Sequence, residues 1–237
     1  MSDLSLSNLK RELGRCADSE RAKNLSRFFK TGKGEYGEGD VFIGLTVPQQ
    51  REIAKKYYYL NIKELQELMD SKVHEHRMIA LFILINKYKT TNHKKIITHF
   101  YLKNAKENKI NNWDLIDLSA PNILGTQLLE GDRLILYELA KSDNLWERRI
   151  SVLATFMFIK NNQFEDSLKI AEILINDQHD LIHKAVGWML REIGKKNIGV
   201  EERFLKNYYK KMPRTMLRYA IEKFDERKRL KYLRGEI

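Results

Sequence analysis

Apolar residues along the chain recur three and four positions apart and do not alternate at period two. Ile79, Leu81, Phe82 and Ile85 share one such face, Leu134, Leu136, Tyr137 and Leu139 another, and Leu168, Ile170, Ala171 and Leu174 a third. Pro48, Pro121 and Pro213 are the only prolines, and five of the twelve glycines crowd into residues 32 to 44. The pattern predicts an all-α chain whose helix breakers gather in one loop.

Four of the predicted helices open alike, with a basic residue followed three places on by a small or aliphatic one: Arg77/Ala80, Arg149/Val152, Lys184/Gly187 and Arg218/Ile221. The basic residues lie 72, 35 and 34 positions apart, and 72 is two units of 36, which places a missing member at Trp113. A period near 35 with two helices per unit is the mark of an α-solenoid, in which each pair buries its apolar side against its neighbours. The expected fold is therefore an α-α superhelix of about six helical repeats, a single domain over residues 1–237. Residues 77, 113, 149, 184 and 218 would line one surface, expected to be a concave basic groove. Basic residues opening helices by chance in a Lys-rich chain is the alternative.

Charge narrows the partner. Lys and Arg number 43 against 32 Asp and Glu, a formal +11 on 237 residues. Residues 201 to 237 hold twelve of the cations and six of the acids, so the C-terminal end carries +6 of that excess. Such a surface attracts a polyanion. Cys16 is the sole cysteine, which excludes an intrachain disulfide and fits a reducing compartment. The first twenty residues lack an apolar leader core, and the longest apolar run, Met78 to Ile85, is too short to span a membrane. A cytoplasmic protein is expected, without a membrane partner.

Three motifs lead nowhere. Residues 32–37, GKGEYG, match G-x-G-x-x-G, but no strand precedes them, no helix directly follows, and Glu35, Glu38 and Asp40 would repel a pyrophosphate. His179 and His183 have the spacing of a zinc pair without a third ligand, so no metal is expected. Cys16 has no histidine partner that would make it a nucleophile.

Trp113 and Asp117 are four residues apart and so share a helix face. By the repeat, Arg149 and Lys184 flank that face, while Trp188 and Arg191 follow Lys184 at helical spacing. Cations bind phosphate, and exposed indoles pack on sugars and bases. The lone acid is the odd member, since a carboxylate weakens ordinary phosphate binding. It suits the loss of a cationic N-alkylated purine, which departs neutral, needs no general acid and leaves an oxocarbenium-like sugar. One carboxylate 4 Å from that sugar is worth about 4 kcal/mol at an effective dielectric of 20, roughly a thousandfold in rate. A structural salt bridge for Asp117 and core packing for Trp188 are the competing readings.

At these residues the sequence resembles the AlkD-like family of DNA alkylation repair glycosylases, built from HEAT-like repeats. The likeness runs through YGEGDVFIGLTVPQQREIAKKY (36–57), NNWDLIDLSAPNILG (111–125), DNLWERRISVL (143–153), HKAVGWMLREIGK (183–195) and PRTMLRYAIEKF (213–224). It implies a monofunctional glycosylase of base excision repair that hydrolyses the N-glycosidic bond of 3-methyladenine or 7-methylguanine in duplex DNA, as a monomer and without cofactors. By the same resemblance Asp117 is the catalytic acid, Trp113 and Trp188 the sugar-packing indoles, Arg149 the essential arginine and Phe28 a lesion-proximal aromatic. Arg51, Arg77, Arg148, Lys184, Arg191, Arg214 and Arg218 are expected to hold the DNA backbone. A non-catalytic DNA-structure binder and a helical protein-binding scaffold are the alternatives.

Overall fold

The computed structural model describes residues 4–237, and every long element in it is a helix. Among the described residues, extended pairing is confined to one bridge between Val41 and Val73. The chain divides into two units, the first reaching Leu115 and the second beginning at Ile116.

The first unit holds α1 (Leu6–Arg15), α2 (Ser19–Phe28), α3 (Val47–Lys56), α4 (Ile62–Met69), α5 (His74–Thr90) and α6 (Lys94–Lys106). Side-chain caps set several of these starts. The Asp18 carboxylate accepts from the Arg21 amide, and Thr46 with Gln49 and Asn61 with Glu64 form reciprocal capping boxes. The apolar run Met78–Ile85 makes α5 the central helix, packed on α3 and α4 and buried along that whole stretch. The glycine-rich segment between α2 and α3 is a loop, not a phosphate cradle. Glu35 and Glu38 accept from the amides of Gly32 and Gly34, so carboxylates occupy the groups an anion would need. At Gly37 a side chain would lie 2.4 Å from the Phe29 carbonyl, which explains the glycine there. Beyond it, the buried Glu75 carboxylate gathers the amides of Ile43, Gly44 and Leu45 and ties the loop to α5.

Helix α7 (Trp113–Ser119) lies at the division. The second unit continues with a π-helical turn, Pro121–Gly125, then α8 (Leu134–Ala140), α9 (Leu145–Ala154), α10 (Phe156–Lys160), α11 (Glu165–Ile173), α12 (Asp180–Lys196), α13 (Ile198–Tyr208), α14 (Arg214–Ala220) and α15 (Glu226–Arg234). Here α12 is the centre, packed on α9, α13 and α14. A side-chain carbon on Gly187 would stand 2.4 Å from the Met216 carbonyl and 2.5 Å from the Tyr219 side chain, so α12 and α14 touch backbone to backbone there. Gly125 makes the same kind of approach to the Ala154 carbonyl. Of the small residues in the sequence repeat, Gly187 thus marks a helix–helix contact.

The repeat register needs one correction. Arg149, Lys184 and Arg218 are each the fifth residue of their helices, which begin at Leu145, Asp180 and Arg214. In α7 the fifth residue is Asp117, and Trp113 is the first. The interpolated period of 36 missed the equivalent position by one turn, because the 72 residues from Arg77 to Arg149 divide unequally, 40 to Asp117 and 32 onward.

Candidate functional site

In the second unit Asp117 and Arg149 form a fork. Arg149 donates from Nε to Asp117 Oδ1 at 2.9 Å and from Nη2 to Oδ2 at 2.8 Å, while Nη1 donates to the Leu181 carbonyl at 2.5 Å. The guanidinium side chain is 5% exposed and the carboxylate 20%, so the acid faces outward with its counter-charge behind it. Bidentate geometry fixes the plane of the carboxylate and uses one acceptor site on each oxygen. The arginine that the resemblance marks as essential thus lies behind the carboxylate. Each of its three nitrogens donates once within the protein, and the guanidinium is buried. Its part is to hold Asp117.

Trp188 is half-buried on α12. Its Nε1 donates to Glu192 Oε1 at 3.1 Å, and its ring meets Phe156 at 5.9 Å, tilted by 44°. Glu192 also takes Lys195 at 2.6 Å, so its charge is shared. The indole is therefore fixed at its edge and partly open. The tryptophan sealed in the core is Trp146, 5% exposed.

In the first unit Trp113 is half-buried and stacks on Phe29, ring centres 5.1 Å apart and 19° from parallel. Phe29 stacks in turn on Phe42. Phe28 ends α2, is 63% exposed and meets Trp113 edge-on at 5.8 Å. Sequence reasoning missed what lies beneath this column: His74, nearly sealed from solvent, placed between Asp40 at 3.0 Å and Asp114 at 2.8 Å. Burial opposes a charge on its ring, but Asp114 and Asp40 outweigh that and push its pKa up to about 9. The available signal was Asp114 inside NNWD, which was read only for its tryptophan.

The expected backbone cations separate into two kinds. Arg77 is 4% exposed and donates to the Ser71 carbonyl, Asp40 and Asn111 at 2.8, 2.6 and 3.2 Å. Arg148 gives Nε to Asp177 at 2.7 Å and Nη1 to the carbonyls of Ser142 and Asp143. Both are spent on the fold, which corrects their assignment to phosphate. Arg191 is half-buried between Glu192 and Glu222, and Lys184 pairs with Asp180 one turn before it. Arg51 is exposed and lies over the Phe82 ring at 5.2 Å. Arg214 is exposed and donates to the Leu233 carbonyl at 2.6 Å. Arg218 is exposed and, among the described residues, carries no ion pair.

The two histidines with metal-ligand spacing serve the start of α12: His179 Nδ1 accepts from the Leu181 amide, and His183 Nε2 bonds the Asp177 carbonyl. No helix of the described residues is long and apolar enough to cross a membrane.

The family model of the DNA alkylation repair enzymes matches residues 9–224, through both units, and the chain belongs to that family. Among solved structures, a predicted DNA alkylation repair enzyme from Enterococcus faecalis aligns with a TM-score of 0.69 at 16% identity, over 89% of this chain and 97% of its own. AlkD2 from Streptococcus mutans aligns with a TM-score of 0.58 at 21% identity, over 92% of this chain and 99% of its own. At such identities these two establish the helical fold that the chain shares with them. No curated protein matches the sequence significantly.

Proposed function

We propose that this DNA alkylation repair protein is a monofunctional glycosylase that releases cationic alkylpurines, such as 3-methyladenine and 7-methylguanine, from duplex DNA. The observation that carries this reading is the Asp117 carboxylate, locked in plane by the buried Arg149 and still partly open to solvent. In the proposed reaction the bond from C1′ to the purine nitrogen breaks, and its electron pair neutralises the alkylated base. Asp117 stabilises the sugar cation left behind and orients a water, whose oxygen bonds C1′ and whose proton passes to the carboxylate or to solvent. Trp113 and Trp188 each offer an indole face to deoxyribose. Phe28, exposed beside Trp113, would pack on a flanking base. Arg51, Lys184, Arg214 and Arg218 are the cations exposed enough to meet phosphate, and we place the protein as a monomer in the cytoplasm, on the nucleoid when engaged.

The decisive experiment measures free 7-methylguanine from methylated duplex DNA with the native protein and with Asp117→Asn. Release by the native protein and its loss in the variant are expected. A second reading, a binder of DNA structure without chemistry, draws on the same fork, because Arg149 neutralises the one acid that would repel phosphate. Salt-dependent binding with no release by the native protein would select it, and a flat salt dependence would leave a protein-binding scaffold.

A further inference from the structure

The residues around Trp113 are tethered individually. Arg77 donates to Asn111 Oδ1 at 3.2 Å, the Asn112 side chain accepts from the Trp113 amide at 2.9 Å, and His74 Nε2 bonds Asp114 Oδ2 at 2.8 Å. His74 Nδ1 bonds Asp40 at 3.0 Å, and Asp40 also takes Arg77 at 2.6 Å. The imidazole stacks on Phe42, ring centres 4.5 Å apart, and Phe42 leads through Phe29 to the indole.

A neutral imidazole has one N–H and one acceptor nitrogen, whereas both of its partners here are carboxylates that only accept. The geometry is satisfied on both sides only by the doubly protonated ring. We propose that His74, held as a cation between Asp40 and Asp114, is the positioning residue that fixes Trp113 for its work; this rests on the reading of Trp113 as a sugar-packing indole. The facing charged groups are Asp40 from the loop, Asp114 from α7 and Arg77 from α5 itself. Their sum keeps the ring protonated to about pH 9. When the proton leaves, the neutral ring keeps one N–H for two carboxylates, and the positive charge that holds Asp114 at Oδ2 is lost whichever nitrogen keeps its hydrogen. The first turn of α7 is then released, and Trp113 with it.

The test labels the three tryptophans with 5-fluorotryptophan and follows their fluorine resonances from pH 7 to 10, each assigned by its Trp→Phe variant. The Trp113 resonance is expected to move alone with a midpoint near pH 9. In Asp114→Asn, which removes one of the two anions, that midpoint should fall by at least one unit. A Trp113 resonance that stays fixed, a midpoint unaltered in Asp114→Asn, or all three resonances moving together as in unfolding would overturn the proposal. The readout does not depend on catalysis. On methylated duplex DNA with enzyme in excess, excision should fall at least tenfold through the same midpoint. A fluorine step without excision at any pH supports the positioning and sinks the glycosylase reading; excision without the step does the reverse.

Discussion

Replacing Asp117 with Asn puts a number on the fork. In the native protein Arg149 directs two N–H groups at two anionic oxygens, at 2.9 and 2.8 Å. An Asn amide can accept only one of them and turns its own N–H groups toward the other, so the buried guanidinium loses both a bond and its counter-charge. Removing one partner of a buried pair costs about 3–5 kcal/mol, and the partial exposure of Asp117 lowers the expected loss of stability to about 2 kcal/mol. The rate follows from the same charges. A carboxylate about 4 Å from the sugar cation contributes about 4 kcal/mol at an effective dielectric of 20, and the guanidinium behind it, at about 8 Å, takes back about 2 kcal/mol. The pair as a whole is thus worth about 2 kcal/mol, but the guanidinium stays in Asp117→Asn, so the variant loses the full contribution of the carboxylate, about 4 kcal/mol or roughly a thousandfold in rate. Single-turnover release of 7-methylguanine, with enzyme in excess at a denaturant concentration of zero, reads this directly. A rate within twofold of native at full occupancy would refute the role of Asp117.

Further outcomes follow from packing and charge. Gly187→Ala should lower the denaturation midpoint by the equivalent of about 1–3 kcal/mol, because the new methyl meets the Met216 carbonyl at 2.4 Å, whereas Gly14→Ala, with nothing within 4 Å in α1, should stabilise by about 0.5–1 kcal/mol. Glu201 is buried, and burial followed by the neighbouring Glu202 charge pushes its pKa from 4.5 up to about 8. Between those values only the folded state holds the proton. Stability from this group is therefore full below pH 4.5 and falls as pH rises toward 8, by at most about 1.4 kcal/mol per unit. Glu201→Gln should flatten that decline, and equal pH slopes for the two proteins in urea titrations would contradict it. Arg218→Ala should reduce the log–log salt slope of duplex binding by about 0.9, while Arg77→Met, whose guanidinium never leaves the interior, should lower stability and leave the slope unchanged.

Much of the helical content was legible because it is local. The apolar period along α5 and α12, the caps at Asp18, Thr46 and Asn61, and the glycines at residues 32–44 all act within a few positions of one another. The residues of the candidate site were legible as types: Trp113, Asp117, Arg149 and Trp188 stood out by spacing and by likeness to a family. Their roles were less so. Arg149 and Arg77 read as surface cations in a Lys-rich chain, and a linear sequence gives no sign of which guanidinium finds a carboxylate 32 or 37 residues away. The pairing of His74 with Asp40 and Asp114 has the same character, since it joins positions 34 and 40 residues distant.

The amino-acid order by itself settled that the chain is helical and which side chains bear chemistry, since periodicity and composition are properties of near neighbours in the chain. Tertiary structure alone decided which cations are spent on the interior and which remain for a polyanion. It also decided that an acid of α7 has an arginine at its back, and that the imidazole of His74 is set between Asp40 and Asp114. These depend on desolvation and on distances across the fold, which become definite only once the helices have packed.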